Sequence, residues 1–313
     1  SLILSIDYNP SLFSASAIDD VISHFYRVLD LFPAFPPEFS PFLQVCTAPS
    51  HTYSNLPDKF SPHYYLASLT SDFSNHSIRS CSSSISCREL HTFINEYSQD
   101  LSRYQDPIFC IRSDDIVFQL LLILTCWNVG RPYILWNPLE SDEINFSRLS
   151  TCGVRSVISL KNDSLCVDLL PFDSHDIFFP KSFTNLAHLI FTSGSTGNPK
   201  AVPVSIDHLS SYQDAIVDRL TISQDHNSYR FGVISSLNFD FPFTTILLWL
   251  RTGGEIFLAD YNAVKSPQFW LNIDDSFFSF LKILPPYFTA LLEFVPIQKL
   301  IPSDILLFGG DAL

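Results

Sequence analysis

Methionine is absent from this 313-residue chain, position 1 included, so the sequence is expected to be a segment of something longer. Basic residues are few: 18 Lys and Arg stand against 32 Asp and Glu, a net charge of −14 with a pI near 4.8. Nucleic-acid binding needs a basic field, so no nucleic-acid partner is expected. The seven cysteines (Cys46, Cys81, Cys87, Cys110, Cys126, Cys152, Cys166) contain no C-x-x-C pair, and their number is odd. They read as reduced thiols of a cytoplasmic protein, mostly buried, and not as a metal site or disulfide framework. No secretory leader is visible. The most apolar run, 116–127, follows Asp114-Asp115 and precedes Arg131. It falls short of the roughly 17–25 residues of a bilayer span and reads as a buried core helix, so no membrane partner is expected either. Glycine is scarce: all nine fall at or after position 130, and four form the pairs Gly253-Gly254 and Gly309-Gly310.

What is present falls into three stretches. Leu2-Ile3-Leu4-Ser5-Ile6-Asp7-Tyr8 has a strand's residue types. After it, Ser16-x-x-Asp19 is a capping box for a helix with Ile18, Val21, Ile22, Phe25, Val28, Leu29 and Phe32 on one face, stopped by Pro33. At about 1.5–3 kcal/mol per buried large side chain, that stripe needs a partner surface. Prolines 33, 36, 37, 41, 49, 57 and 62 then punctuate a run without periodicity, read as an irregular linker. Order resumes at Ser86-x-x-Glu89, which caps a helix with Leu90, Phe93, Ile94, Tyr97 and Leu101 on its apolar face. Strands are expected at 108–111, 132–136, 154–160, 202–204, 231–235, 255–259 and 305–308. Helices are expected at 114–128, 140–151, 208–220 and 243–250, and residues 161–185 read as polar surface. Strands alternating with helices predict an α/β fold with mostly parallel sheets flanked by helices.

Within that pattern, Leu189-Ile190-Phe191-Thr192-Ser193-Gly194-Ser195-Thr196-Gly197-Asn198-Pro199-Lys200 runs from an apolar strand into a loop of hydroxyls, glycines and a lysine. Gly194 and Gly197 let successive N–H groups converge on an anion. Thr192, Ser193, Ser195 and Thr196 add donors, and Lys200 adds a point charge. This is equipment for a polyphosphate, although the spacing is not that of a Walker loop. By composition alone the segment also reads as a Ser/Gly/Pro surface loop.

The full string resembles the T-S-G-S-T-G-x-P-K motif of the adenylate-forming (AMP-binding) superfamily. That resemblance implies an N-terminal core of an adenylate-forming enzyme over residues 86–313, with Thr192, Ser193, Gly194, Ser195, Thr196, Gly197 and Lys200 on the phosphates of ATP and Mg²⁺ sharing their charge. Asn128-Val129-Gly130-Arg131-Pro132-Tyr133-Ile134-Leu135-Trp136-Asn137-Pro138 is a loose version of the family's early turn. Tyr8-Asn9-Pro10-Ser11-Leu12-Phe13 resembles the end of a condensation domain of a nonribosomal peptide synthetase, which divides the chain into a condensation-like tail and linker (1–45), an irregular linker (46–85) and a partial adenylation domain (86–313). An ordinary N-terminal helix packed on the main domain is the alternative for the first segment. Departures from the family are Ala201, where glycine is usual, and Ile206, where a histidine often stands; His208, two positions on, reads as a helix-face residue.

Leu237-Asn238-Phe239-Asp240 precedes the 243–250 helix. Local physics leaves Asp240 as an N-cap or as a carboxylate needing a partner. The resemblance implies that it holds the α-ammonium of an amino-acid substrate. It further assigns Phe241, Thr244, Ile283 (before Leu284-Pro285-Pro286), Leu306 and Phe308 to the substrate pocket, and Gly309 and Gly310 to the nucleotide side. Such a pocket is apolar with Thr244 its one hydroxyl, so a neutral, small or apolar amino acid is expected. Partners implied are the condensation domain and a downstream carrier domain bearing phosphopantetheine. An acyl-CoA or aryl-acid ligase of the same superfamily, or a degenerate non-catalytic piece, are the alternatives. In the family the adenine-binding step, the ribose-binding aspartate and the lysine-bearing mobile lobe lie downstream of the element matched by Gly309-Gly310-Asp311-Ala312-Leu313, so no catalytic residue is assigned. Residues 1–313 alone are therefore expected to give little or no amino-acid-dependent ATP–pyrophosphate exchange; robust exchange would contradict the correspondence.

Overall fold

The capping box at Ser86 is closed in both directions. Ser86 N donates to Glu89 Oε2 at 2.8 Å, and Glu89 N donates to Ser86 Oγ at 3.4 Å. It opens α1 (Cys87–Leu101), which buries Leu90, Ile94, Tyr97 and Leu101. In this computed structural model the chain divides into two units, Ser1–Asp58 and Lys59–Leu313. The structure describes residues 76–161, 164–170, 185–192, 200–220 and 229–310, all in the second unit. The strand and helix expected within 2–32, and the linker as far as residue 75, lie outside the described residues.

Two six-stranded sheets organise the second unit. The first is built from β3 (Phe109–Ile111), β4 (Tyr133–Leu135), β5 (Ser156–Lys161), β6 (Ser164–Leu169), β7 (Leu186–Thr192) and β8 (Lys200–Ser205), in spatial order β6-β5-β3-β4-β7-β8. Its four central strands are parallel, and β6 and β8 close the edges antiparallel. The second contains β1 (His76–Arg79), β2 (Ser84–Ile85), β9 (Arg230–Val233), β10 (Gly254–Leu258), β11 (Phe280–Ile283) and β12 (Ile305–Phe308), in order β12-β11-β9-β10-β1-β2. All its pairings are parallel except β1 with β2.

The crossovers are helical, as parallel strands require. They include α2 (Ile116–Asn128), α3 (Asp142–Thr151) and, after α4 (Ile206–Leu220) has linked the first sheet to the second, α5 (Phe243–Thr252). Short helices α6 (Tyr261–Val264), α7 (Pro267–Asn272), α8 (Pro285–Leu292) and α9 (Ile297–Leu300) complete the described set. The 116–127 run is the expected core helix: α2 buries Val117 and every residue from Gln119 to Trp127. Asp115 caps it, accepting from Val117 N at 2.7 Å. Between α5 and β10, Gly253 and Gly254 take φ of 78° and 96°. A Cβ on Gly254 would stand 2.5 Å from the Tyr229 carbonyl oxygen, so the turn admits only glycine there.

Two stretches differ from expectation. Residues 76–85, read as the end of an irregular linker, form β1 and β2, and β1 lies inside the second sheet beside β10. This four-residue strand shows no period. Burial of Ile78 and the hydrogen-bonding contact of His76 Nε2 with the Leu250 carbonyl, 3.2 Å, hold it in place. Within 161–185, read as surface, residues 164–169 form the edge strand β6, whose side chains are half-buried or exposed and so carry little hydrophobic signal. Leu122→Ala should cost about 2–5 kcal/mol of unfolding free energy and Ser86→Ala about 1 kcal/mol, measured by urea denaturation; equal losses would contradict this division between core and cap.

Candidate functional site at the carboxyl edges of the sheets

Parallel strands end together, and the loops after them share one edge, where open α/β sheets take ligands. Here the two sheets bring their edges to each other. The segment after β9 is tied to the end of β4 by Asn238, whose Nδ2 donates to the Trp136 carbonyl at 3.1 Å. Between them lies a cavity of about 410 Å³ whose lining includes Tyr133, His188, Thr192, Asn238, Phe239 and Phe243. Thr192, which begins the expected phosphate motif, and the turn that carries Asp240 therefore border one space.

Thr192 ends β7 and Lys200 opens β8, and the two are paired across an antiparallel ladder. The motif is thus the connection of a hairpin with its entry and exit fixed in register. Ser193, Gly194, Ser195, Thr196 and Gly197 lie outside the described residues. Thr192 and Lys200 are exposed. Neither side chain has a hydrogen bond or ion pair among the described residues. Ala201 sits in β8 against the core cluster of Ile108 and Trp136, and Ile206 is buried at the start of α4. His208 closes a local box: Ser205 N donates to its Nδ1 at 3.2 Å and His208 N donates to Ser205 Oγ at 3.1 Å. These bonds close the first turn of α4.

Asp240 is exposed in the turn before α5. It is not the N-cap: Pro242 occupies that position, with no side-chain capping bond, and Asp240 contributes its carbonyl to Phe243 N at 3.1 Å. Its carboxylate makes no hydrogen bond among the described residues and lies in the electrostatic field of Lys282.

The expected single pocket of Phe241, Thr244, Ile283, Leu306 and Phe308 is divided by the sheet. Ile283 is fully buried in a cluster with Leu281, Trp270 and Phe278, and Leu306 and Phe308 pack against that cluster. On the opposite face, Ile305 and Leu307 pack on the α5 side. Strand alternation puts Lys282, not Ile283, beside Phe241 and Thr244. Lys282 Nζ donates to Thr244 Oγ1 at 2.8 Å and to the Phe241 carbonyl at 3.1 Å, and stands 4.2 Å from the Phe241 ring centroid. Thr244, 1 % exposed, also shares a 2.6 Å hydrogen bond with Tyr212 of α4.

Gly309 and Gly310 abut the same group. A Cβ on Gly309 would sit 3.5 Å from Lys282 Cε; one on Gly310, at φ +83°, would meet Leu284 Cδ2 at 2.8 Å and Phe241 Cδ2 at 3.1 Å. Beside Phe241 and Thr244 the structure thus places a cation, Lys282, that was not among the expected pocket residues. The signal was there: in Phe280-Leu281-Lys282-Ile283 the lysine shares a face with Phe280.

His188 is the other unforeseen group. It stacks on Phe243 at 4.8 Å, and its Nδ1 has no hydrogen-bond partner. Burial lowers its pKa to about 4, so the imidazole is neutral. Burial raises the Cys110 and Cys126 thiols well above their ordinary range, which makes them inert packing groups. Among the described residues no group of three or more His, Cys, Asp or Glu could hold a metal ion, and no disulfide joins two of the six described cysteines.

An α/β domain with Thr192 and a carboxylate-bearing turn bordering one cavity at the strands' carboxyl edge has the layout of a ligand-binding class. The model of the AMP-binding enzyme family matches residues 81–313, and the chain belongs to that family. Tyrocidine synthase 3 of Brevibacillus parabrevis is 24% identical over 347 aligned positions, covering 100% of this chain and 5% of that protein. N-(5-amino-5-carboxypentanoyl)-L-cysteinyl-D-valine synthase of Amycolatopsis lactamdurans is 25% identical over 205 residues, 58% of this chain and 6% of that protein. The chain thus spans a small fraction of the length of these relatives. Among solved structures, the Klebsiella oxytoca NpsA N-terminal subdomain, bound to 3-hydroxyanthranilyl-AMSN, aligns with a TM-score of 0.61 at 19% identity, over 81% of this chain and 66% of that one. CmiS6 aligns at 0.64 and 18%, over 82% and 68%.

Two outcomes follow from this geometry. Gly310→Ala should destabilise the protein by about 1–3 kcal/mol, from its positive φ and the contact with Leu284. Adding Leu284→Ala should relieve the clash but not the backbone strain; full recovery in denaturation would contradict that division. His188 has its pKa depressed in the folded state, so the unfolded chain binds the extra proton. Its contribution is intact above pH 6.5 and is lost as pH falls towards 4, amounting to about 2–3 kcal/mol near pH 4.5. His188→Phe should flatten that part of the urea-midpoint profile, and an unchanged slope would contradict the burial argument.

Proposed function

We propose that this chain is the amino-acid- and phosphate-binding part of an adenylation domain of a nonribosomal peptide synthetase, activating an amino-acid carboxylate with ATP. The observation that carries the reading is Asp240: an exposed carboxylate without a hydrogen-bond partner among the described residues, on a turn that shares one cavity with Thr192. A ligase for plain carboxylic acids has no use for an ammonium acceptor there.

In this reading the loop between Thr192 and Lys200 holds the β- and γ-phosphates of the substrate ATP. The exposed side chains of Thr192 and Lys200 fit that role, one as a donor and one as a positive charge. Mg²⁺ would share the phosphate charge; with no cluster of three metal-ligating side chains among the described residues, it is expected to come in with the nucleotide. Asp240 fixes the α-ammonium, which turns the α-carboxylate towards the phosphate loop. A carboxylate oxygen then attacks the α-phosphorus, forming the acyl–phosphate bond as the bond to pyrophosphate breaks. Positioning and charge neutralisation carry such a step, and no proton transfer by a side chain is needed. The tie between Asn238 and Trp136 keeps the two halves of the site in register. The aminoacyl group would pass to the phosphopantetheine of a carrier domain and be used by a condensation domain, in the cytoplasm.

In the full-length protein, Asp240→Ala should lower kcat/KM for the amino acid in ATP–pyrophosphate exchange by about 100-fold or more, while KM for ATP changes little. Lys200→Ala should show the opposite split. Unchanged exchange in Asp240→Ala would overturn the assignment.

A further inference from the structure

Lys282 is a half-buried cation beside the Asp240 turn. Two of its three N–H groups go to neutral acceptors, Thr244 Oγ1 at 2.8 Å and the Phe241 carbonyl at 3.1 Å. The Phe241 ring covers one side at 4.2 Å, and Gly309 leaves room beside its stem. No carboxylate forms an ion pair with it among the described residues. Burial lowers its pKa, and the one charge acting against that is Asp240. A half-buried ammonium whose third donor has no partner among the described residues is costly unless an anion completes its shell.

We infer that Lys282 selects an amino acid whose side chain ends in a carboxylate. This rests on the reading of Asp240 given above. Lys282 is bonded to the carbonyl of Phe241, the residue next to Asp240, so a negative and a positive group flank one short stretch of backbone. A substrate with an ammonium and a second carboxylate a few bonds apart matches both and leaves its α-carboxylate for ATP. That is an aspartate- or glutamate-type substrate, in place of the neutral one expected from the sequence. A lysine point charge with a rotatable third donor suits such a carboxylate. The competing role is purely structural, with Lys282 pinning the first turn of α5 through Thr244.

The test is ATP–pyrophosphate exchange by the full-length protein with L-aspartate, L-glutamate, L-asparagine, L-leucine, succinate and 4-methylpentanoate. One of the two acidic amino acids should exceed asparagine and leucine in kcat/KM by about tenfold or more. Lys282→Met should abolish that preference, bringing the acidic-to-neutral ratio to about one or below, and Lys282→Arg should keep most of it. Wild-type preference for leucine or asparagine would overturn the inference without recourse to any variant. So would Lys282→Met that lowers the melting temperature yet leaves the acidic-to-neutral ratio unchanged. The two layers fail separately. Leucine serving as well as aspartate, with 4-methylpentanoate inactive, sinks the inference and spares Asp240. Succinate serving as well as aspartate sinks the role of Asp240 and leaves carboxylate selection by Lys282 supported.

Discussion

The site depends on where α5 begins. Every residue from Phe243 to Leu250 is buried, which leaves this helix no freedom to slide without opening the core. Phe243 packs against His188 and Trp127, and Trp249 Nε1 donates to the Gly254 carbonyl at 3.0 Å. The helix is thereby held against both β-sheet systems, and its N-terminal turn presents Asp240, Phe241 and Thr244 from a fixed platform. A site assembled from loops can be this well defined only because rigid elements end at its border.

Two sheets converging at their carboxyl edges set the division of labour. The first sheet carries Thr192 and Lys200 at this edge, and the second carries the Asp240 turn, Lys282 and the glycine pair. Asn238, reaching across to Trp136, is the hydrogen bond that joins the halves directly. In a chain with net charge −14, the few cations at this edge matter: Lys200 and Lys282 give local positive potential where the protein as a whole repels anions.

Much of this was legible in the sequence. The box of Ser86 and Glu89, the core helix at 116–128 and the glycine pair at 253–254 are local signals, and each formed as read. The family match over 81–313 bears out the recognition carried by the loop. Tertiary context decided what stayed hidden. β1 is a four-residue parallel strand, HSIR, held by neighbours more than 100 positions away, and β6 is a half-exposed edge. Which face each expected pocket residue takes was not legible: period-two alternation sends Ile283, Leu306 and Phe308 to one face and Lys282 and Leu307 to the other. Matching short motifs such as L-P-P fixes position along the chain, and the face follows only once the strand is paired.

A crystal structure of the protein with an aminoacyl-sulfamoyl adenosine is the most direct test of the shared carboxyl-edge site. The account predicts the ligand's ammonium within hydrogen-bond reach of the Asp240 carboxylate and its sulfamate beside Thr192, within the one cavity between the sheets. A ligand bound with its amino group turned away from Asp240, or seated on the opposite face of the second sheet among Ile283, Leu306 and Phe308, would contradict it.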